Sequence, residues 1–370
     1  MKIAQIAPIV ERIPPRKYGG TERMVHDLTE ELVRRGHDVT LFASKDSQTS
    51  AKLVSVVDKP LREMNVNDLY GSNFWTMLNI GVAYARQNEF DIIHDHSGHL
   101  SLPVANLSVT PVVMTLHGPL TLQNKTLYAT LNNPHLVTIS KSQSVPAPNL
   151  NYLGTVLHGL DMQNYSYSKD NDGYLLYVGR VSEEKGVHHA IEVAEYLRLP
   201  LIIAAKVDEH DRKYFKEKIE PHLGGLIRWI GEVDQDERNR LMSRALCFLH
   251  PALWREPFGL TLIEAAACGC PVVAFKRGSI PEIIQDGKTG FVVEDVEEMV
   301  EAVSQIQKIK RRECRKHALN NFSTSRMAAE YEKLYIKALQ KRALNGQVSQ
   351  IKEKLSKQRT VLPIRRKKSD

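Results

Sequence analysis

The chain has 370 residues, 42% hydrophobic and 25% charged, a composition of soluble globular proteins and a length suited to two moderate domains rather than one core. Its net charge of +7 sits in the tail: residues 341–370 carry ten Lys or Arg against two Asp or Glu, a balance of +8, which leaves −1 for residues 1–340 (+7 less +8). A near-neutral body gives no footprint for nucleic acid, and the lack of any apolar run of about eighteen residues excludes a sequence-evident membrane-spanning helix.

The opening segment, MKIAQIAPIV, reads as a first buried strand over 3–8 rather than a signal peptide. The loop ERIPPRKYGGTE leads to a helix over 21–35, and Gly36-His37-Asp38 turns the chain into a strand over 39–43. Gly19 and Gly20 can bring backbone close to a ligand, and Thr21 can cap the helix. No G-x-G-x-x-G follows the strand, so NAD binding is not expected. A helix over 74–87 precedes FDIIHDHSGHL, a strand ending in His94, Asp95 and His96, with His99 beyond. Such a cluster raises a metal reading. No second group of comparable density accompanies it, and residues lining a cleft at a strand end are the preferred expectation. Residues 111–116 form another buried strand with His117 at its carboxyl end.

The hydrophilic run 166–172 follows the segment VLHGLDMQNY and sets a domain boundary near residue 165. Beyond it a strand over 174–178 is followed by GRVSEEKG, in which Arg180 and Lys185 flank a loop at the strand's carboxyl end, a place where two cations can meet a diphosphate. Strands over 201–205 and 227–231 continue the alternation. The stretch 250–290 carries the densest signal. An apolar strand over 245–249 leads through a loop with Glu256 into a helix that starts near Leu260, carries Glu264 and ends at Cys268-Gly269, where glycine supplies a left-handed cap. The amides of Phe258, Gly259, Leu260 and Thr261 belong to the loop and first turn and lack intrahelical acceptors, so they suit phosphate oxygens; a neighbouring carboxylate suits sugar hydroxyls. The next strand is 271–274, and helices over 296–308 and 325–342 follow. Cys247, Cys268, Cys270 and Cys314 show no zinc-site spacing and read as reduced thiols of a cytoplasmic protein.

The Glu-x7-Glu pattern EPFGLTLIE, the following A-x-x-x-G-x-P-V-V-A and G-x-x-x-E-I-I-x-D-G-x-x-G, the G-R-x-x-x-x-K-G element and VVMTLHG together resemble the retaining GT-B glycosyltransferases of family four over most of residues 1–340. The resemblance implies an α/β fold of two Rossmann-like domains facing an interdomain cleft. The expected division is an acceptor-side domain over 1–165 and a nucleotide-sugar domain over 166–325. A terminal helix over 326–344 would cross back to the first domain, and the basic tail over 345–370 is expected to be disordered or only conditionally helical.

By the same resemblance, Gly19 and Gly20 lie against the donor diphosphate and sugar, and His117 sits beside the reacting carbon. Arg180 and Lys185 meet the diphosphate, and backbone at Gly231, Glu232 and Val233 meets the base. Glu256 holds donor sugar hydroxyls and Glu264 the ribose. The segment 10–18 departs from the shorter loops of the family and is expected to shape acceptor choice. The implied activity is retaining, metal-independent transfer of a hexose from a UDP-, GDP- or ADP-sugar to an acceptor hydroxyl that is lipid-linked, glycan or small-molecule. No further cofactor is implied. A non-catalytic sugar-nucleotide-binding protein, an epimerase and a phosphorylase of the same fold stay open as alternatives. The basic tail adds an expected peripheral contact with the inner membrane face.

Overall fold

The computed structural model describes residues 1–17, 19–64, 66 and 69–360. Two all-parallel sheets organise them. The first runs in the order β3-β2-β1-β4-β5-β6-β7, from β1 (Lys2–Ile6), β2 (Asp38–Phe42), β3 (Lys52–Val54), β4 (Ile92–Asp95), β5 (Val112–Thr115), β6 (His135–Thr138) and β7 (Tyr152–Thr155). The second runs β10-β9-β8-β11-β12-β13, from β8 (Leu175–Arg180), β9 (Leu201–Lys206), β10 (Ile227–Trp229), β11 (Cys247–His250), β12 (Val272–Phe275) and β13 (Gly290–Val293). Strands buried on both faces read as continuous apolar runs, which is why 245–249 and 271–274 were legible and the strands meet helices on either side.

In each sheet the strand order reverses beside the first strand, between β1 and β4 and between β8 and β11. The crevice beyond the carboxyl ends at such a reversal is where open α/β sheets hold ligands. The loop carrying Gly19 and Gly20 leaves β1, His96 and His117 follow β4 and β5, Arg180 ends β8 and His250 ends β11. Apart from His96, which is buried behind His117, these residues line one cleft.

The helix Gly20–Arg34 buries Met24, Val25, Leu28 and Leu32 against Val39, Leu41 and Val113. That core is completed by Met327, Ala328, Tyr331, Tyr335 and Ala338 of the last helix, Thr324–Thr360, so the C-terminal segment packs on the first sheet. Their spacing of three to four residues makes one apolar stripe. Arg326 ties the start of this helix to the carbonyls of Leu157 and His158, and Arg315 reaches the carbonyls of Met162, Tyr165 and Ala267.

Several sequence expectations need correction. The last helix was expected to end near 344, before a tail that is disordered or only conditionally helical; it continues to Thr360, since no proline interrupts 324–360 and the segment is rich in Lys, Gln, Leu and Glu. Residues 361–370 lie outside the described residues. Thr21 does not cap the first helix: Gly19 takes the N-cap with φ 141°, and the helix begins one residue earlier at Gly20. The helix expected over 74–87 spans Leu69–Ala85. Gly269 does adopt the left-handed φ of 78° expected after the helix Leu260–Ala267. The four cysteines are free and buried.

Candidate active site

Glu256 is the best-partnered carboxylate of the cleft. Its Oε2 accepts from Lys185 Nζ at 2.8 Å and from Trp254 Nε1 at 2.9 Å, and His250 Nε2 stands 3.5 Å away. Lys185 Nζ also lies 4.5 Å from the centroid of the Trp254 ring, a cation–π contact. Burial alone would raise the Glu256 carboxyl, but the His250 ring and the Lys185 ammonium outweigh it and hold the group at about 2. Arg180 ends β8 rather than lying in a loop, and its guanidinium is caged by Glu184, by Asp208 at 3.9 Å and by Asp211 at 3.8 Å. Both cations of the predicted pair therefore face carboxylates.

The depressed Glu256 carboxyl makes stability pH-dependent. A carboxylate whose folded value lies below its ordinary 4.5 contributes stability that is complete above that value and is lost as pH falls toward 2. The shift corresponds to about 3 kcal/mol at neutral pH, at about 1.4 kcal/mol per pH unit. Urea midpoints of the protein and of Glu256→Gln should therefore converge as pH falls from 5 to 3. A difference constant over that range would show that Glu256 keeps an ordinary carboxyl.

After β11, the loop with Pro257 delivers the helix Leu260–Ala267, with Gly259 at its N-cap in the left-handed region at φ 88°. Phe258, Gly259, Leu260 and Thr261 all line the cleft. Glu264 sits on the second turn, buried, accepting from the Tyr165 hydroxyl at 3.1 Å and from Arg238 Nη2 at 3.2 Å. Glu232 and Val233 reach the cleft wall; Gly231 does not line it and instead makes the turn before them at φ 77°.

On the facing side, Gly20 comes against the second half closely enough that a Cβ on it would stand 2.9 Å from Leu260 Cδ1, while a Cβ on Gly19 would meet Pro15 and Glu22 of its own half. Val10, Glu11 and Lys17, from the long loop expected to shape acceptor choice, line the cleft; Tyr18 lies outside the described residues. Glu22, on the first turn of the helix, lines it too, and burial raises its carboxyl to about 7. His117 lines the cleft as expected, but it does not stand alone. The rings of His94, His96, His117 and His158 follow one another at centroid distances of 4.0, 5.3 and 5.5 Å, and His158 meets Phe258 edge-on at 4.8 Å. Burial holds His117 down to about 3 and the other three well below the usual imidazole range, so the row is neutral.

His94, Asp95 and His96 do not converge as ligands. His94 meets the Tyr335 hydroxyl at 2.7 Å and Thr115 Oγ1 at 2.8 Å, while Asp95 accepts from the Tyr84 hydroxyl and the Ser97 amide at 2.7 Å each. Among the described residues the side chains that do converge are Asp208, His210 and Asp211, in the turn after β9 beside Arg180.

The cleft has a volume of about 920 Å³. It is bridged by Arg62, which joins Glu11 at 2.6 Å to Glu232 at 3.4 Å, and by Glu282, which accepts from the amides of Lys141 and Ser142 at 2.8 Å each. His158, His250, Trp254, Glu22 and Arg238 are lining residues that the sequence reading assigned no role. For His250 a signal existed, its position at the carboxyl end of an apolar strand.

Comparison with known proteins places this architecture. Residues 162–322 match the family model described as glycosyl transferases group 1, and residues 18–143 the one described as glycosyltransferase family 4, together most of the chain. Glycogen synthase of Mycobacterium tuberculosis is 27% identical over 333 residues, 75% of this chain and 79% of that protein. The crystal structure of AviGT4, a glycosyltransferase involved in avilamycin A biosynthesis, has a TM-score of 0.71 at 23% identity, covering 92% of this chain and 98% of that one. Anabaena HepE in complex with UDP-glucose has a TM-score of 0.68 at 18% identity, covering 90% of this chain and 98% of that one. Two parallel sheets opposed across a cleft of this kind are the GT-B fold, and the family models make the chain a glycosyltransferase. The chain belongs to the family-four, group 1 glycosyltransferases.

Proposed function

We propose that the enzyme transfers a hexosyl group from a nucleotide diphosphate sugar to an acceptor hydroxyl, with retention at the anomeric carbon and without a metal or other resident cofactor. The observation that carries this reading is that one cleft is lined by Arg180, by Lys185 paired with Glu256, and by the open helix start at Gly259–Thr261. As the bond from the anomeric carbon to the diphosphate breaks, negative charge grows on the leaving oxygen. Two cations and amides already aimed there stabilise that charge more than they stabilise the ground state. Glu256, released from Lys185 when the diphosphate takes that cation, accepts from donor sugar hydroxyls, and Glu264 accepts from the ribose. The new glycosidic bond forms on the face the diphosphate leaves, the acceptor proton passing to the departing phosphate oxygen. HepE, a structure of the same fold, is known in complex with UDP-glucose, which supports a nucleotide sugar as donor.

A panel of UDP-, GDP- and ADP-sugars, followed by nucleoside diphosphate release and anomeric analysis of the product, tests the reading. No turnover with any of them, or a product of inverted configuration, would overturn it. Activity is also expected to survive exhaustive chelation with EDTA. Loss of activity that returns only with a divalent ion would assign a catalytic role to a site such as Asp208, His210 and Asp211.

The tail carries a separate expectation. Ten cations over 341–370 exceed what a neutral body needs for solubility, and a polybasic segment gains about 1 kcal/mol per Lys or Arg at an anionic lipid surface. Among the described residues no helix is long and apolar enough to cross a membrane. Truncation after Leu344 should leave soluble-acceptor transfer intact and weaken binding to vesicles of anionic lipid. Equal vesicle binding by both forms at low salt would remove the membrane role.

A further inference from the structure

His96 and Gln5 have no place in the chemistry described above, yet they adjoin His117, whose ring lines the cleft. Gln5 is the fourth residue of β1 and is fully buried; β4 pairs with it in parallel, Gln5 opposite His94. The His96 ring follows two residues later on the same side. His96 Nε2 lies 2.8 Å from Gln5 Oε1, and His96 Nδ1 lies 3.0 Å from His117 Nε2.

We propose that Gln5 and His96 are positioning residues that hold His117 as the tautomer protonated on Nε2, so that its Nδ1 presents a lone pair to a hydroxyl of the donor sugar. The order of donors follows from what each atom can do. An amide carbonyl only accepts, so the proton of His96 sits on Nε2. A neutral ring carries one such proton, which leaves His96 Nδ1 as an acceptor and requires His117 Nε2 to donate to it. His117 is neutral as well, so its Nδ1 is bare. Among the described residues no protein group meets that nitrogen, and His117 lines the cleft. Stacking on His158, with ring planes 23° apart, fixes the direction in which Nδ1 points.

The other titratable or charged groups packed around the row are His94, His158, Tyr331, Tyr335 and Arg326. The neutral state of the row is a matter of burial, which pushes all four imidazoles down. Near neutral pH the site therefore offers an acceptor at His117, neither a cation nor a donor. A sugar whose facing substituent can donate is selected. One bearing fluorine, hydrogen or a carboxylate at that position leaves the lone pair unmet or opposed, and kcat/KM should fall by about 10–100-fold.

This inference rests on the donor reading for its substrate, but its first test does not. In the full-length protein labelled with 15N-histidine, two-bond nitrogen–proton couplings at pH 7 should place the His117 proton on Nε2. A proton on Nδ1 would mean that the Gln5 amide is turned the other way, and it would overturn the inference whatever the enzyme transfers. The second test uses Gln5→Leu and a donor that supports turnover. The variant is expected to show both His117 tautomers and about a 10-fold lower kcat/KM, with nucleoside diphosphate affinity unchanged. Should Gln5→Leu fold poorly, deoxy and fluoro donor analogues with the unaltered enzyme read the same hydrogen bond. If every single-position analogue matches the parent donor, Nδ1 meets no sugar hydroxyl and the inference fails. If no sugar nucleotide turns over while Nε2 is protonated, the proposed reaction fails and the tautomer assignment stands.

Discussion

Lys185→Ala and Arg180→Ala are each expected to lower turnover by about 10²–10³, the usual loss when one group stabilising transition-state charge is removed. The two variants should differ in what else they change. Lys185 contacts Glu256 at 2.8 Å, so its loss leaves that buried carboxylate with Trp254 and the more distant His250. Lys185→Ala should accordingly also weaken discrimination among donor sugars. Arg180 is held by Glu184, Asp208 and Asp211, outside the Glu256 group, and its loss should raise the KM for the donor through the diphosphate alone. Steady-state kinetics across two or more donors separates the cases. Turnover within a few-fold of the parent in both variants would remove the assigned role of the cation pair.

The sequence disclosed what depends on local pattern. Apolar runs bounded by glycine and proline gave the strands that became β1, β5, β8, β11 and β12, because parallel strands covered on both faces must be apolar throughout. Strands β3, β6 and β7 escaped notice for the complementary reason. β3 is three residues long with no residue fully buried, β6 begins with a half-exposed His135, and β7 is broken by Gly154. The helix after Pro257 was legible because its cap glycines and apolar face agree.

The site was legible only as candidates on separate loops. Lys185 and Glu256 are 71 residues apart, and nothing in either segment states that they touch. Lys185 reaches Glu256 because β8 and β11 are neighbours in the sheet, whereas His250 and Trp254 come from the same strand end and loop as the carboxylate. The histidine row has the same origin. His94, His96 and His117 were visible as strand-end residues, but their succession depends on β4 lying beside β5, and the meeting with His158, which follows β7, is a tertiary fact. Electrostatic consequences such as the depressed Glu256 carboxyl then follow from burial and contact, which a sequence does not carry.

Gly186→Ala is expected to cost both stability and activity, because this glycine is what lets the Lys185 loop approach the Glu256 loop. Gly186 ends the turn Glu183–Lys185 and starts the helix Val187–Leu197, in the left-handed region at φ 68°. A Cβ there would stand 2.0 Å from the carbonyl oxygen of Pro251, a backbone atom just past the end of β11 that cannot rotate away. Left-handed backbone costs a non-glycine residue roughly 1–2 kcal/mol, and forced overpacking adds about 1–3 kcal/mol more. A loss of about 3 kcal/mol would lower the Tm by about 6–12 °C for domains of this size. Relief of the clash by moving the turn would draw Lys185 away from Glu256, so turnover should fall toward that of Lys185→Ala even in the fraction that folds. Gly173→Ala supplies the comparison: its φ of 78° carries the same backbone strain, but nothing lies within 4 Å of its would-be Cβ. That variant should lose only about 1–2 kcal/mol and keep its turnover. Equal Tm shifts in the two variants, or full activity in Gly186→Ala, would show that the close approach at Pro251 does not set the position of Lys185.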